Sequence, residues 1–478
     1  MHKLLTIIVL LLPLAVVQAA VAAEPHERPN IVFILADDVG YGDFGCYGGT
    51  SIPTPNIDGL AAQGVRFTDV HTPSAMCTPT RWGIMTGCYA WRSATANAPL
   101  LGDDPLSIPL DRPTLPRILR EAGYATGAVG KWHLGLGLSK PDFNAELTPG
   151  PREVGFDYSF IMAGTGDRVP CVYIENQRVV GLDPKDPIRI EGRNTHFELM
   201  GSKRIGKQIG GTAALWKDED MADVFTAKAV KFIEENQSHP FFLYFATHDC
   251  HNPTRPNERF RGKSKAGARG DAVVSFDGSV GQVLETLERL KLSDRTIVIV
   301  TSDNGGYKVN GLHIPDRTNG PLRGYKMDLY EGGQRAPFVL RWPGQAPAGK
   351  TSPALFCLAD MLATFADMAG GKIPENAGLD SLDVKPALLG GESPRTELVL
   401  HDGHGRNGVA LRRGPWVLIP ADVKSAEPAA NDQLFNLVDD LGQTKNVATE
   451  HRDLVAELRK RLLEIRAADK DLPATTKP

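Results

Sequence analysis

The chain has 478 residues, 42% of them hydrophobic and 23% charged, which suffices for a large folded core and excludes a disordered protein. Its formal net charge of −4 excludes a basic surface that would bind nucleic acid or an anionic membrane through charge alone. An anionic substrate would therefore have to be bound by local cations.

The N-terminal segment has the pattern of a secretory signal peptide. Lys3 precedes an apolar stretch at residues 4–17, and Ala22-Ala23 forms a small-residue cleavage site. We predict a signal peptide at residues 1–23 and export of the mature protein to the periplasm or the extracellular space. The apolar stretch is too short for a stable membrane span.

The next part of the chain alternates apolar and amphipathic segments. Apolar runs at residues 31–36, 124–129, 241–245 and 296–300 predict strands, and the segments at 55–63, 115–122 and 222–235 have helical spacing. This alternation predicts an α/β fold with a mostly parallel, buried sheet. Residues 147–216 are rich in Gly and Pro, and we expect long irregular excursions there.

A composition break near residues 370–378 predicts a linker. Short strands are expected beyond it at residues 397–400, 408–412 and 416–419, followed by a helix at 454–467 that packs on them. The predicted organisation is a catalytic domain at residues 24–378 and a C-terminal subdomain at 379–478.

Polar side chains follow each of the four main predicted strands. In open α/β sheets, ligands bind beyond the carboxyl ends of the strands. These ends carry, in chain order, Asp37-Asp38, Lys131 with His133, His248 with His251, and Asp303-Asn304. Four strands would thus direct titratable groups to one edge of the sheet.

Asp37, Asp38, Asp303 and Asn304 offer only oxygen ligands, which suit a hard divalent cation. Their number and flexibility favour Ca²⁺, and Mg²⁺ stays open as the alternative. Taken singly, each pair also fits a polar turn or a helix cap. Two such pairs, each ending an apolar strand, favour the metal site.

Cys77 opens the sequence Cys77-Thr78-Pro79-Thr80-Arg81, at the start of a predicted short helix. Backbone N–H groups and the Arg81 cation favour negative charge there, which suits a nucleophile. The alternatives are a buried free thiol or a disulfide with Cys88. The six cysteines, at positions 46, 77, 88, 171, 250 and 357, are too scattered for a disulfide framework.

Three further groups are candidates for catalysis. In an extended Gly130–Gly135 segment, Lys131 and His133 would face the same side, so that both could contact one anion. His251 follows another strand. A lone histidine after a strand is more often structural, and Lys326 alone would be a solvated side chain.

Several ordered motifs make the chain similar to the type I, formylglycine-dependent sulfatases, in their arylsulfatase and N-acetylgalactosamine-6-sulfatase branch. The motifs lie at residues 29–31, 37–43, 54–58, 77–87, 130–135, 302–306, 321–326, 330–337, 342–344 and 432–440. The resemblance implies an alkaline phosphatase-like fold, with a large α/β domain and a smaller C-terminal antiparallel sheet with a helix.

The resemblance also implies roles for individual residues. Asp37, Asp38, Asp303, Asn304 and the modified Cys77 would bind calcium. A separate maturation enzyme would oxidise Cys77 to formylglycine, the nucleophile for hydrolysis of a sulfate monoester. Arg81, Lys131 and Lys326 would surround the sulfate, with His133 and His251 transferring protons and Lys131, His251 and Lys326 contacting substrate.

Two departures from the family pattern bear on substrate choice, namely Cys250 directly before His251 and an insertion at residues 307–320. The expected substrate is a sulfated small molecule or glycan, and no nucleic acid partner is expected. His401, His404 and Arg406 could reach the rim of the pocket, although a solvated loop is the simpler interpretation. The functional alternatives are a phosphate or phosphonate monoester hydrolase and a secreted calcium-dependent binding protein without turnover.

Overall fold

The computed structural model describes residues 28–308 and 318–468. The predicted signal peptide and residues 309–317 of the insertion lie outside the described residues. In chain order the strands are β1 (Asn30–Ala36), β2 (Val65–Phe67), β3 (Val70–His71), β4 (Ala125–Lys131), β5 (Tyr158–Met162), β6 (Ile174–Glu175), β7 (Arg178–Val179), β8 (Arg189–Leu199), β9 (Ser202–Ile209), β10 (Phe241–Ala246), β11 (Thr296–Ser302), β12 (Phe338–Arg341), β13 (Lys350–Ser352), β14 (Phe356–Cys357), β15 (Glu397–His401), β16 (Val409–Arg413), β17 (Trp416–Ile419) and β18 (Gln433–Asn436). The α-helices are α1 (Pro55–Ala62), α2 (Cys77–Thr86), α3 (Leu115–Glu121), α4 (Pro151–Val154), α5 (Met221–Glu235), α6 (Gly267–Arg289), α7 (Glu331–Gln334), α8 (Met361–Met368), α9 (Lys385–Leu388) and α10 (Arg452–Ala467).

A ten-stranded sheet forms the centre of the molecule, in the order β13-β2-β12-β11-β1-β10-β4-β5-β6-β7. The four main predicted strands are confirmed as β1, β4, β10 and β11, which lie side by side and run parallel. Every residue of β1, β10 and β11 is buried, as expected of strands covered on both faces. Their carboxyl ends therefore meet at one edge.

Helices cover both faces of this sheet. Alternate residues of β1 contribute to two separate apolar cores, because successive side chains of a strand point to opposite faces. Phe33 packs in the core that contains residues of α2, α3 and α8. Ile34 packs in the core that contains residues of α1, α5 and α6. The result is a three-layer α/β/α arrangement.

The C-terminal sheet is antiparallel, in the order β15-β16-β17-β18. Leu411 and Leu418 on one face share a core with Val455, Leu458 and Leu462 of α10. The predicted packing of the last helix on a small sheet is confirmed. Strand β18 had not been predicted as a strand.

The expectation for residues 147–216 was wrong in part. This region supplies β5, β6 and β7 to the large sheet, and β5 pairs in parallel with β4. It also forms the long antiparallel hairpin β8–β9. The strands of this region are short or exposed and separated by Gly and Pro turns, so no apolar run marks them. Among the described residues, no helix has the length and apolarity required to cross a membrane.

Candidate active site

The site lies at the carboxyl edge of the four central strands, and two special backbone conformations shape it. Asp38, just beyond β1, has a left-handed φ of 61°, and its N–H lies 3.3 Å from Asp303 Oδ1. Gly130 in β4 has a φ of 104°, and a Cβ there would lie 1.9 Å from the carbonyl oxygen of Ala246. Only glycine therefore allows β4 to approach β10 so closely before Lys131.

Three buried carboxylates meet at this edge. Asp37, Asp38 and Asp303 each offer one oxygen within 4.8 Å of the others. Asn304 Nδ2 donates to Asp38 Oδ1 at 2.8 Å, which leaves the buried Asn304 Oδ1 without a hydrogen-bond partner among the described residues. Burial raises the pKa of Asp303, and the Asp37 carboxylate raises it further. Arg81 and Lys131 lower this pKa, but their effect is the smaller one. Converging oxygens with an unsatisfied acceptor fit an oxygen-preferring divalent cation.

Cys77 is the first residue of α2, and its side chain is almost fully buried beside this acidic cluster. Met76 before it has extended backbone, so the helix starts at the cysteine, and the thiol lies close enough to Arg81 and Lys326 to affect the pKa of both. All six cysteines are free, and the alternative of a disulfide with Cys88 is therefore wrong. Cys88 is buried instead, with its thiol directed at Thr86 O.

Arg81 lies one helical turn after Cys77 and is completely buried. Its guanidinium donates to Asp303 Oδ2 from Nη2 at 2.7 Å and from Nε at 3.1 Å. Nη1 donates to the carbonyl oxygen of Lys131 at 2.8 Å. One arginine thus connects the nucleophile helix, the acidic cluster and the end of β4.

Two lysines complete the cationic side of the site. Lys131 Nζ donates to both oxygens of Asp37, at 2.8 and 2.7 Å. Lys326 Nζ does the same to Asp38, at 2.6 and 2.8 Å. Burial alone would lower the pKa of Lys326, but the Asp38 carboxylate outweighs it and raises that pKa. Lys326 is therefore charged at neutral pH.

His133 is held in one tautomer. Its Nε2 lies 2.8 Å from the carbonyl oxygen of Leu100, and because a carbonyl only accepts, Nε2 carries the proton. Nδ1 is buried and has no partner among the described residues, so its lone pair is free. Burial lowers the pKa of His133 well below its usual value, and Lys131 and Arg168 lower it further. A neutral imidazole with a free Nδ1 can accept a proton.

The sequence argument that placed Lys131 and His133 on one side of an extended strand was wrong in its geometry. His133 has a left-handed φ of 54°, so the backbone turns instead of alternating. Lys131 ends β4 and points to Asp37, whereas the His133 ring points to the Leu100 carbonyl. The two residues still lie in one site, because the lysine charge affects the histidine.

His251 lies on the opposite side of the acidic cluster. Its Nδ1 donates to the carbonyl oxygen of Asn252 at 3.1 Å, and its Nε2 is 4.0 Å from Asp38 Oδ2. Burial lowers the pKa of His251 to about 4, although the Asp37 and Asp167 carboxylates oppose that shift. His248, from the same strand end, is 3.5 Å from Asp37 Oδ2.

Sequence reasoning missed a second layer of support. Arg269 in α6 donates to both oxygens of Asp43, at 2.9 and 2.6 Å, and to the carbonyl oxygen of Asp38 at 3.0 Å. It thereby fixes the backbone that carries two of the carboxylates. Asp43 lies within a family motif. The apolar residues of α6 recur at helical spacing, and this signal could have placed Arg269 on a helix, although nothing local points to its contact with Asp38.

His401, His404 and Arg406, which were predicted to reach the rim of the pocket, differ in their burial and contacts. His401 is fully buried, and its carbonyl oxygen accepts from the N–H of Ala75, two residues before Cys77. Arg406 Nε donates to the carbonyl oxygen of Trp91. His404 is exposed, and its N–H donates to Asp402 Oδ1 at 2.8 Å. The solvated-loop interpretation is therefore wrong for His401.

The two departures from the family pattern also have definite positions. Cys250 is fully buried, and burial raises the pKa of its thiol well above the usual value. Of the insertion, Tyr307 lies beside Thr254, with 3.5 Å between their hydroxyl oxygens. The insertion therefore begins next to the His251 segment.

Comparison with known proteins agrees with this geometry. A model of the sulfatase family matches residues 29–371. The chain belongs to the sulfatase family. Sulfatases are sulfuric ester hydrolases that generally depend on formylglycine and a metal ion, and the prediction of an enzyme of this class is confirmed.

Individual sulfatases resemble the chain over nearly its whole length. It is 42% identical to the N-acetylgalactosamine-6-O-sulfatase of Bacteroides thetaiotaomicron over 481 positions, which cover 91% of this chain and 92% of the relative. It is 34% identical to arylsulfatase A of Bos taurus, covering 91% of this chain and 86% of the relative. A solved structure from work on glycosaminoglycan metabolism by Bacteroides thetaiotaomicron superposes with a TM-score of 0.87 and 39% identity, covering 92% of this chain and 100% of that one. The predicted alkaline phosphatase-like fold is confirmed.

Proposed function

We propose that the protein hydrolyses sulfate monoesters of carbohydrates, using a formylglycine made from Cys77 and a Ca²⁺ ion. One observation carries the proposal: Cys77 begins a buried helix at the edge where three carboxylates and three cationic side chains converge. Asp37, Asp38, Asp303, Asn304 and the modified Cys77 would hold the ion. A family maturation enzyme would make the modification.

The cations of the site match the charge of the ester. Arg81, Lys131 and Lys326 are buried around the acidic cluster, where a low dielectric strengthens their attraction for a sulfate group. Their contacts with Asp303, Asp37 and Asp38 orient them before substrate arrives. Preorganised charge of this kind stabilises the transition state without reorganisation during the reaction.

His133, His251 and Lys326 are the proposed proton-transfer groups. His133 is neutral and has a free Nδ1, which supports its assignment as the base that takes a proton from the hydrated residue 77. His251 Nδ1 donates to the Asn252 carbonyl oxygen and burial lowers the pKa of His251 to about 4, so its Nε2 is an acceptor at neutral pH. We therefore assign protonation of the departing alcohol oxygen to the charged Lys326, and His251 would contact that oxygen and assist only after taking up a proton. The hydrated formylglycine would supply the nucleophile and the ion would favour its deprotonated form.

The identity of the ion follows from its proposed ligands. Carboxylate and amide oxygens in a flexible cluster favour Ca²⁺ over Mg²⁺.

The proposal also assigns the domains and the substrate. We assign catalysis to residues 24–378 and the supporting small sheet to residues 379–478. The resemblance to an N-acetylgalactosamine-6-O-sulfatase supports a 6-O-sulfated amino sugar as the substrate. Export directed by residues 1–23 stays a prediction.

The test combines mass and activity measurements. The peptide that contains residue 77 should have the mass of formylglycine when the protein is produced with a maturation enzyme. That protein should release sulfate from 4-nitrocatechol sulfate and from 6-O-sulfated N-acetylgalactosamine. Cys77→Ala should lower kcat/KM by at least about a thousandfold, because no other side chain can replace the nucleophile.

Rates of hydrolysis of an aryl phosphate and of the matched aryl sulfate distinguish the proposed reaction from its alternative, since a phosphate or phosphonate hydrolase should prefer the phosphate. Cys77→Ser is the conservative control, because it keeps an oxygen nucleophile but cannot expel sulfate by re-forming an aldehyde. Wild-type turnover by Cys77→Ala, purified free of host sulfatase, would falsify the proposal.

A further inference from the structure

A groove of about 560 Å³ opens beside His251. Its inner end, which is the end next to the proposed site, is lined by Asp167, Asn252 and Arg269. The hairpin residues His196 and Lys203 and the ring of Tyr307 also line it. Apart from Arg269, which holds the Asp38 backbone, and Asp167, which lies beside His251, these residues have no role in the proposed sulfate site. The groove is large enough for a sugar ring.

The inner end of the groove touches the proposed site directly. Asp167 Oδ1 lies 3.8 Å from His251 Nδ1. Arg269 holds the carbonyl oxygen of Asp38. An alcohol that leaves next to His251 is therefore at the mouth of the groove, and the remainder of a larger substrate would extend along it.

The hairpin β8–β9 that forms the outer wall is fixed in place. Arg204 of β9 is fully buried and pairs with Asp218 at 2.6 Å. The N–H of Ile205 donates to the carbonyl oxygen of Asp167 at 2.6 Å. Arg255 donates to the carbonyl oxygen of Gly201 at the tip of the hairpin. The backbone on both sides of Lys203 is thus fixed by contacts at Gly201, Arg204 and Ile205.

The charges along the groove differ in their counter-ions. Arg269 pairs with Asp43, and Arg255 pairs with Glu219. Lys203 is exposed, and its side chain forms no ion pair or hydrogen bond with any residue in the described ranges 28–308 and 318–468. Glu198, opposite it across the hairpin, also forms no ion pair there. Lys203 is therefore available to an anion in the groove.

We propose that this groove binds the sugar next to the sulfated one, and that Lys203 binds an anionic substituent of that neighbouring sugar. The proposal rests on the proposed sulfatase function and narrows its substrate to an acidic oligosaccharide. The ring of Tyr307 offers an apolar surface to a sugar face, and Asp167 offers an acceptor to a hydroxyl. The anion is a uronate carboxylate or a second sulfate ester.

The test measures binding without turnover. In the full-length Cys77→Ala protein, calorimetry would give Kd for three disaccharides that share one 6-O-sulfated amino sugar. The neighbouring sugar is a hexuronate in the first, its carboxyl-reduced neutral form in the second, and a neutral hexose with a sulfate ester in the third. We expect at least one acidic disaccharide to bind about fivefold more tightly than the neutral one. Comparison of the Kd values of the two acidic disaccharides then identifies the anion.

Lys203→Ala should remove this preference, while Lys207→Ala should keep it. Lys207 is the matched control because it is an exposed lysine of the same strand that lies against Phe197, outside the groove. Equal Kd values for the acidic and neutral disaccharides, or a preference that survives Lys203→Ala, would overturn the proposal. Loss of sulfate release by the wild type is a separate outcome, which counts against the proposed function.

Discussion

Two buried clusters of charge in this molecule look alike at first and differ in chemistry. One is the acidic cluster Asp37, Asp38 and Asp303 of the candidate active site. The other, here called the inter-sheet cluster, consists of Asp69, His71, Glu331, Arg335 and Arg412. Each cluster brings three potential metal ligands within 4.8 Å of one another.

The clusters differ in how their carboxylates are neutralised. In the inter-sheet cluster, Arg335 contacts both Asp69 and Glu331, at 2.9 and 2.5 Å, and Arg412 lies 2.8 Å from Asp69 and 3.8 Å from Glu331. Two acids thus share two arginines. Because Arg412 belongs to β16 of the small sheet, this network ties the small sheet to the region around β3.

In the acidic cluster of the active site, each carboxylate has its own cation. Burial would raise the pKa values of Asp37 and Asp38, but Lys131 and Lys326 keep them below the usual value. Burial raises the pKa of Asp303 and Asp37 adds to the increase, so the resident cations do not fully compensate its charge. Burial would also raise the pKa of Glu331, but Arg335 and His71 hold it well below the usual value. Proximity of ligands therefore does not by itself identify a metal site. The acidic cluster is distinguished by the raised pKa of Asp303 and by the buried Asn304 Oδ1, which has no partner among the described residues.

The largest effect should come from Asp303→Asn. The change removes the negative charge of a proposed metal ligand and replaces one oxygen beside Arg81 by an NH2 group, so kcat/KM for sulfate release should fall at least about a thousandfold. Metal content measured by mass spectrometry should fall with it. The matched variant Asp69→Asn, in the inter-sheet cluster, should keep both the metal and the kcat/KM. Equal loss of metal in the two variants would contradict the distinction between the clusters.

Removal of the metal should have the next largest effect. Dialysis against a chelator should abolish sulfate release, and Ca²⁺ should restore it more fully than Mg²⁺. At a Ca²⁺ concentration a hundredfold above Kd, binding should add about 2.7 kcal/mol to the free energy of unfolding. Calorimetric unfolding with and without Ca²⁺ measures this gain. A metal-free protein with unchanged activity would exclude the ion from the mechanism.

Glu331→Gln should act on stability alone. It leaves two buried arginines with one acid between them, and breaking a buried charge pair in this way costs about 3–5 kcal/mol of unfolding free energy. Urea unfolding measures the loss. The control is Glu457→Gln, because its partner Arg413 and Glu457 itself are both largely exposed, and the expected change is within about 0.5 kcal/mol. A loss no larger than that of the control would show that the inter-sheet cluster is not a stabilising element.

The smallest expected effect is on the pH dependence of stability. The folded-state pKa of Glu331 lies below its unfolded value of about 4.3, so its contribution is complete above that pH and is lost as the pH falls toward the folded pKa. The difference in unfolding free energy between the wild type and Glu331→Gln should therefore shrink below about pH 4.3. Urea midpoints at pH 7, 5 and 3.5 would measure it, and a constant difference would contradict the assigned pKa shift.

The predictable parts of the molecule are those with a local sequence signal. The strands that end at Asp37 and Asp303 are continuous apolar runs, so their class and position followed from sequence. Helix α6 has apolar residues at helical spacing, but its close approach to α1 has no local signal: a Cβ at Gly281 would lie 2.8 Å from Asn56. Strand β5 is short, and only its pairing with β4 makes it part of the sheet.

The sequence by itself determined the α/β class, the four polar strand ends, the nucleophile motif at Cys77 and, through its resemblance, the sulfatase family. Apolar periodicity and short motifs are local properties, because they depend only on residues that are close together in the chain. Only the tertiary structure decided which charges meet. Lys326 reaches Asp38 because its N–H is bound to Gly306 O and that of Met327 to Ala75 O, and His133 gains its free Nδ1 from the distant Leu100 carbonyl. Contacts between residues far apart in the chain depend on packing, which local patterns do not encode.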